Sequence, residues 1–408
     1  VIVLVPMVLN GHPGTRYGIP FPVLARASFG ILGANVPALL RGLVACGWFG
    51  IQTWIGGAAI YTIVLILWPF VADGPAMMPE WVGVSLIQFV CFMLFWVMNI
   101  WLIWKGINSI RILEHVAAPF LLLCGLALLA WAFYGASGFG PMLQAGSKFQ
   151  SSAEFWGLFW PSLTAMVGFW ATLTLNISDF TRYASSQRAQ VIGQLSGLPT
   201  TMTLFAFIGV AVTSATIIIF GEAIWDPVVL VRRFESPMVV FFSMVAVIIA
   251  TISTQAAANG VGPAKAFSHL APSIIDFQRG GYITGIIGIL IMPWKQIADP
   301  SGYIFTWLIG YSALLGPVIG IILVDYFLVR KTELKVEDLY RHNGQYAGVN
   351  SMAIIALVIG VLPNIPGFLA NVGLYSGSGM IVNLYNYAWF IGLGISSVVY
   401  YGLMRNKV

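Results

Sequence analysis

Long apolar runs alternate with short polar stretches along the whole chain, and each run is close to the roughly 20 residues that an α-helix needs to cross a bilayer. The pattern predicts eleven membrane spans, the first cut short at Val1 and the eighth short throughout. The predicted spans are residues 1–9, 36–60, 82–104, 112–134, 158–180, 197–220, 237–259, 281–294, 302–328, 350–370 and 382–404. Because the chain starts inside an apolar run and without Met, we expect a twelfth span to precede it.

The composition is that of a polytopic α-helical membrane protein. Hydrophobic residues make up 59% of the chain, charged residues make up 8%, and the mean hydropathy is +0.89. Ordinary soluble domains carry about 25% charged residues. No run of Ser, Pro or charge is long enough to be a linker, so residues 1–408 are predicted to form a single transmembrane domain.

Basic residues are distributed unequally between the two sides of the predicted bundle. Residues 10–30 are rich in Gly and Pro and are predicted to form a loop. Fifteen of the nineteen Lys and Arg residues lie on the side of this loop, together with the C-terminus. Because cytoplasmic loops carry the excess of Lys and Arg, this side is predicted to be cytoplasmic. The asymmetry also explains the net charge of +5 without a nucleic-acid partner.

Neither the cysteines nor the histidines indicate a disulfide framework, a metal centre or a cofactor. They lie inside predicted spans or near span ends, without ligand spacing: Cys46, Cys91, Cys124, His12, His115, His269 and His342. An enzyme would need an acid–base pair, a nucleophile or a metal cluster, and the sequence shows none of these patterns. A channel would need repeated polar rings along a pore, which the sequence does not favour.

The segment at residues 159–183 carries more polar and small residues than a lipid-facing helix tolerates. Gly168 precedes Trp170, and four polar residues follow at intervals of two: Thr172, Thr174, Asn176 and Ser178. We interpret the segment as a helix broken in mid-membrane, where neighbouring protein or a water-filled cavity satisfies these groups, and as part of a ligand site at the bilayer midplane. The alternative is a buried bundle helix whose small polar residues serve packing.

Two other predicted spans each carry candidate binding residues on one helix face. Trp48 and Gln52 are four residues apart, so an aromatic surface lies beside an amide that can donate and accept hydrogen bonds. This pair suits a planar, polar ring, although a packing Trp beside an amide bonded to a neighbouring helix would give the same pattern.

In the span at 237–259, Ala250, Ser253 and Thr254 are spaced i, i+3 and i+4, so one carbonyl and two hydroxyls face the same way. Neutral oxygen ligands suit a weakly held Na⁺, although Ser and Thr hydroxyls also bond back to their own helix. Asn259 lies about 140° further round an ideal helix than Thr254 and is predicted to face a different neighbour.

Asp325 ends a predicted span shortly before a charged loop. A carboxylate at a span end most simply pairs with nearby basic residues, so a structural role is predicted for it.

These stretches together resemble the nucleobase:cation symporter-1 family, which includes hydantoin, allantoin, uracil and cytosine permeases. The resemblance covers nearly the whole chain and is carried by five motifs in order: NGHPGTRYGIPFPVLARASFG, GWFGIQTW, NISDFTRYASSQ, ISTQAAANG, and DYFLVRK followed by DLY. Each motif alone is modest, but their common order makes the resemblance specific.

The resemblance implies an all-α fold with two inverted repeats of five helices, as in sodium-coupled leucine transporters, followed by two additional helices. The rest of the two repeats would occupy residues 1–328, and the two C-terminal helices residues 350–404. The chain would begin in the second helix of twelve, so the first helix, which supplies part of both binding sites, would be missing.

The resemblance also implies site residues. The ring-stacking tryptophan and amide of the third helix correspond to Trp48 and Gln52, the second stacking tryptophan to Trp170, and the amide that bonds the polar edge of the ring to Asn259. The cation ligands correspond to the Ala250 carbonyl, Ser253 and Thr254, which would form a Na⁺ site.

Two departures from the hydantoin-permease pattern bear on the substrate. Phe169 replaces a Gly beside Trp170, and Gln255-Ala256 replaces Asn-Pro. The larger Phe169 is expected to narrow the pocket against bulky 5-substituted hydantoins. NISDFTRYA is similar to the allantoin and uracil branch, so allantoin or uracil is favoured, with cytosine and hydantoin as alternatives. An amino-acid carrier of the same fold is the nearest competitor.

The coupling ion is left open between Na⁺ and H⁺. Na⁺ is favoured by the neutral oxygens, whereas Glu114 and His115 are candidates for proton uptake near the inner mouth. Glu114 could equally pair with Arg111 one turn earlier. We expect a monomer in the plasma (inner) membrane that binds a small-molecule substrate, a coupling cation and lipid.

Overall fold

The computed structural model describes residues 1–73, 78–105, 107–144, 146–299 and 301–407, and this part of the chain contains helices but no strand. The α-helices are α1 (Leu4–Tyr17), α2 (Phe21–Phe29), α3 (Asn35–Leu67), α4 (Leu86–Lys105), α5 (Ile107–Gly135), α6 (Phe139–Leu143), α7 (Ser152–Asn176), α8 (Ser178–Thr181), α9 (Gln187–Phe220), α10 (Pro227–Val231), α11 (Pro237–Thr254), α12 (Val261–Leu270), α13 (Phe277–Leu290), α14 (Pro293–Ile297), α15 (Ile309–Leu323), α16 (Ser351–Val361), α17 (Ile365–Asn371), α18 (Met380–Asn383) and α19 (Ala388–Met404). Three π-helical segments, Gln255–Gly260, Gly302–Leu308 and Val324–Val329, interrupt or extend the long helices.

Within the described residues, nine helical segments are long and apolar enough to cross a membrane. They correspond to nine of the eleven predicted spans. The other two predicted spans fall on α1 and α13, which have 14 residues each and are shorter than the roughly 20 residues of a typical span.

The loop predicted at residues 10–30 is wrong, because most of that segment is helical. α1 continues to Tyr17 and ends at Gly18, whose φ of 69° lets its N–H cap the Gly14 carbonyl. Pro20 and Pro22 then begin α2, which buries eight of its nine residues. The Gly and Pro residues are therefore a helix stop and a helix start, which composition alone does not distinguish from a loop.

α3 is the central helix, and it packs against α4, α11, α12 and α13. Glycines on its surface allow close approach; a Cβ on Gly50 would lie 2.5 Å from the Gly288 carbonyl oxygen. Small residues at such contacts are typical of membrane helix bundles. This packing places Trp48 and Gln52 inside the protein.

The helix predicted to be broken within residues 159–183 is interrupted at Ile177, between α7 and α8, and α7 runs through Gly168 without a break. A Cβ on Gly168 would lie 2.7 Å from the Leu308 carbonyl oxygen, so this glycine serves close helix packing. A further irregular segment is the π segment Gln255–Gly260, which separates α11 from α12. Because π-turns do not follow the 3.6-residue period, the angle predicted between Thr254 and Asn259 does not apply.

Candidate functional site

An aromatic group forms where α3 meets α7. The Trp48 ring contacts the Phe169 ring edge-on at a centroid distance of 5.1 Å and the Tyr303 ring at 6.1 Å. Phe169 in turn contacts Trp170 at 5.7 Å. Trp48 is buried, whereas Phe169 and Trp170 are half-buried. The structure thus brings three predicted aromatic residues together and adds Tyr303, which the sequence analysis missed.

Phe169 lies against both predicted stacking tryptophans. Among the described residues no ring contact joins Trp48 directly to Trp170. A ring that stacks on either tryptophan would therefore meet Phe169 as a third wall.

The two predicted amides, Gln52 and Asn259, form no side-chain hydrogen bonds within the described part of the chain. Gln52 is half-buried, and Asn259 is 7% exposed. The amide atoms of both residues keep some exposure, so a hydrogen-bonding ligand can reach them. Their donors and acceptors are free to contact a solute.

Gln255 bonds the π segment to α3 next to the two predicted α3 residues. Its Nε2 donates to the Phe49 carbonyl oxygen at 2.8 Å and contacts the Thr53 hydroxyl at 2.9 Å. Trp48 directly precedes Phe49 in the sequence, and Gln52 directly precedes Thr53. Sequence comparison marked Gln255 only as a departure, because its role depends on a contact across about 200 residues.

The predicted cation ligands share one helix face. The Ser253 hydroxyl donates to the Ala250 carbonyl oxygen at 3.0 Å, which is the bond back to its own helix that the alternative interpretation expects and which makes these two oxygens adjacent. Thr254 is exposed, and its side chain has no hydrogen bond within the described residues. No cluster of three His, Cys, Asp or Glu side chains able to hold a metal is present in the described ranges. A cation at this face would have neutral oxygen ligands.

The polar residues after Trp170 lie inside the helix bundle. Thr172, Thr174, Asn176 and Ser178 are all buried, and the Thr174 hydroxyl bonds back to the Trp170 carbonyl oxygen at 2.9 Å. This is the alternative interpretation of the segment. Within this segment, Phe169 and Trp170 are the residues that belong to the aromatic group.

A cavity of about 590 Å³ adjoins the aromatic group through Tyr303. Its wall combines parts of α3, α14, α15 and α17 with the π segment Gly302–Leu308: Leu43, Val44, Lys295, Gln296, Asp299, Gly302, Tyr303, Thr306, Trp307, Gly310, Tyr311, Ala313, Leu314, Val361, Asn364, Ile365 and Phe368. None of the predicted site residues lines it.

The side chains of Glu114 and Arg111, on which the proton-coupling alternative depends, lie outside the described residues. His115 is exposed.

Membrane-length helices around an interior aromatic and amide site define a polytopic transporter. The chain is similar to Mhp1, described as a nucleobase-cation-symport-1 family transporter, in a closed conformation with bromovinylhydantoin bound. The TM-score is 0.74 and the identity 26%, covering 99% of this chain and 82% of that one. For the inward-facing conformation of Mhp1 the TM-score is 0.72 and the identity 25%, covering 99% and 81%. The fold is therefore the leucine-transporter-like fold that the resemblance implied.

A sequence model of permeases for cytosine/purines, uracil, thiamine and allantoin matches residues 1–392. The purine-uracil permease NCS1 of Arabidopsis thaliana is 47% identical over 99% of this chain and 68% of its own length. The allantoin permease of Bacillus subtilis is 41% identical over 98% of this chain and 80% of its own length. The chain belongs to this nucleobase:cation symporter-1 permease family, and it is an integral membrane transporter and not an enzyme.

Proposed function

We propose that the protein imports a planar nucleobase or ureide, with allantoin or uracil favoured, by cation symport with alternating access. Gln52 and Asn259 carry this proposal, because both amides lack side-chain partners within the described residues and lie on segments that are bonded together beside the aromatic group. A flat heterocyclic amide offers donors and acceptors at its edge and two faces for aromatic contact, each contact contributing about 0.5–1.5 kcal/mol beyond area burial.

The substrate choice rests on relatives and on Phe169. The relatives include permeases named for uracil and for allantoin. Phe169 against Trp48 favours a small ring over a bulky substituted one. Cytosine and hydantoin are the alternatives.

Uptake and binding by the full-length protein test this site. With radiolabelled uracil, allantoin, cytosine and hydantoin, Gln52→Ala and Asn259→Ala should each weaken substrate affinity roughly five- to 150-fold, since one hydrogen bond to a buried partner is lost. Asn371→Ala is the control, because this amide bonds the Gly367 carbonyl of its own helix α17. Wild-type affinity in both site variants would reject the assignment.

We propose Na⁺ as the coupling ion, held by the Ala250 carbonyl, Ser253 and Thr254. Thr254→Ala should abolish the Na⁺ dependence of uptake, and Glu114→Gln should leave it unchanged. Uptake that ignores Na⁺, collapses with a protonophore and is lost in Glu114→Gln would establish H⁺ coupling instead.

Our proposal also places the protein in the plasma (inner) membrane with a cytoplasmic C-terminus, on the distribution of Lys and Arg. A reporter fused after residue 408 would show the side directly.

A further inference from the structure

Arg41 is a buried cation inside α3, although the sequence analysis counted it among the charges of the cytoplasmic side. It is only 1% exposed, and no carboxylate forms a salt bridge with it in the described part of the chain. Its Nη1 has no hydrogen-bond partner among the described residues. Burying an incompletely paired charge in a membrane protein is costly, so Arg41 is poorly explained by stability alone.

The partners of Arg41 are backbone and amide oxygens on two other segments. Its Nε donates to the Thr172 carbonyl at 3.2 Å and to Asn176 Oδ1 at 3.3 Å, both on α7. Its Nη2 donates to the Ala258 carbonyl at 3.0 Å, in the π segment. One guanidinium therefore joins α3, α7 and the π segment.

Each of these three segments carries a residue of the proposed substrate site. Thr172 lies two residues after Trp170, and Ala258 directly precedes Asn259. Arg41 itself lies seven residues before Trp48, about two helical turns along α3. A shift at Arg41 would thus change the relative positions of Trp48, Trp170 and Asn259.

The surroundings of Arg41 hold it in this geometry. Asn176 Nδ2 donates to Asp179 Oδ2 at 3.2 Å, which aims Asn176 Oδ1 at Arg41, and Asp179 Oδ1 accepts the Phe21 N–H at 3.0 Å. A Cβ on Gly262 would lie 3.3 Å from both Arg41 Nη2 and Asn176 Nδ2, so the backbone approaches closely here.

We propose that Arg41 is a positioning residue for substrate binding, which holds the segments bearing Trp48, Trp170 and Asn259 in register by hydrogen bonds from α3 to α7 and to the π segment. The proposal rests on the proposed function. The planar fork of Arg reaches several acceptors at fixed angles, whereas Lys is a point donor and would reach fewer of them.

The test compares two buried arginines in the full-length protein. Arg41→Met and Arg41→Lys are purified, and affinity is measured with the radiolabelled panel alongside thermal unfolding without substrate. Arg330→Met is the matched control, since Arg330 is also buried but bonds Asp325 and the Ala27 carbonyl.

We expect Arg41→Met to weaken affinity at least ten-fold and to lose less thermal stability than Arg330→Met, because within the described residues its removal leaves no salt-bridged carboxylate unpaired. Arg41→Lys should be intermediate. Arg330→Met should lose thermal stability and keep affinity within about two-fold. Folded Arg41→Met with wild-type affinity would overturn the proposal, and if Arg41→Met does not fold, wild-type affinity in Arg41→Lys would do so.

A double variant separates this proposal from the substrate-site assignment. If Arg41 acts by positioning Asn259, Arg41→Met combined with Asn259→Ala should weaken affinity by less than the product of the single effects. Fully multiplicative effects would overturn the positioning role. If Arg41→Met binds more weakly and Asn259→Ala binds as wild type, the site assignment is overturned and control of binding by Arg41 is supported. If Asn259→Ala binds more weakly and Arg41→Met binds as wild type, only the role of Arg41 is overturned.

Discussion

Asp325 and Asn259 are both buried polar side chains, but the protein supplies hydrogen-bond partners only to Asp325. Its carboxylate accepts hydrogen bonds from Arg330 Nε at 2.8 Å, Ser28 Oγ at 3.1 Å and Tyr400 Oη at 2.7 Å. The Asn259 amide forms no side-chain hydrogen bond within the described residues. The predicted pairing of Asp325 with a following basic residue is confirmed.

This contrast separates structural polar groups from groups available to a ligand. The partners of Asp325 come from α2, α19 and the end of its own helix, so the carboxylate ties distant segments together. Gln52 and Asn259 lie on α3 and the π segment, which the Gln255 hydrogen bond joins, while their own amides have no hydrogen-bond partner within the described residues. Polar side chains that lack partners, on segments whose own hydrogen bonds are made, are the arrangement expected of a pre-formed binding site.

Breaking the Asp325 cluster should have the largest effect on stability and little effect on binding. Asp325→Asn leaves Arg330 as an unpaired buried charge, which typically costs about 3–5 kcal/mol. Thermal unfolding in detergent should drop strongly, while substrate affinity stays within two-fold. Glu337→Gln, at an exposed pair with Arg341, is the control and should change stability by at most about 1 kcal/mol. Equal destabilisation in both variants would contradict a special role for the buried pair.

Enlarging the space beside the aromatic group should change specificity. Phe169→Gly removes the ring that contacts both Trp48 and Trp170, so a hydantoin with a bulky 5-substituent should gain about ten-fold in affinity relative to uracil, or about 1.4 kcal/mol. Competition against radiolabelled uracil measures this ratio. Phe159→Gly, an exposed position on the same helix α7, should leave the ratio unchanged. An unaltered affinity ratio in Phe169→Gly would show that the bulky 5-substituent of the hydantoin does not lie beside Phe169.

His269 is an intermediate case outside the candidate spans, because only one of its ring nitrogens has a partner in the described residues. Nδ1 lies 3.0 Å from Arg26 Nη2, and Nε2 is buried without a partner. Burial, with a smaller contribution from the Arg26 charge, lowers the pKa of His269 to about 4. The unfolded chain, with an ordinary pKa near 6.5, then binds the proton first as pH falls.

The remaining expected effect is an acid-dependent loss of stability. Between about pH 6.5 and pH 4 the folded protein should lose stability progressively through this group. His269→Gln should reduce the decline in thermal stability over that range, and His342→Gln, at an exposed site, should not. Parallel acid profiles for wild type and His269→Gln would contradict the assignment.

The sequence by itself determined the class of protein, most of the spans and the family. Long apolar runs predict membrane helices because the bilayer requires about 20 apolar residues per crossing, a local property of the chain. The i, i+4 spacing of Trp48 and Gln52 predicts a shared helix face. This prediction is also local, since it depends only on the helix period. The five motifs added the expected positions of Trp170 and Asn259.

Tertiary structure alone decided how these residues are held. Phe169 contacts two tryptophans, and Gln255 bonds α3. Arg41 joins three segments, and two of its hydrogen-bond partners lie 131 and 217 positions further along the chain. The loop predicted at residues 10–30 was wrong, and Gly168 lies inside an unbroken helix, because Gly and Pro occur at turns, helix ends and close packing alike. Which of these a given residue serves depends on the helix packed against it, and that neighbour comes from a distant part of the chain.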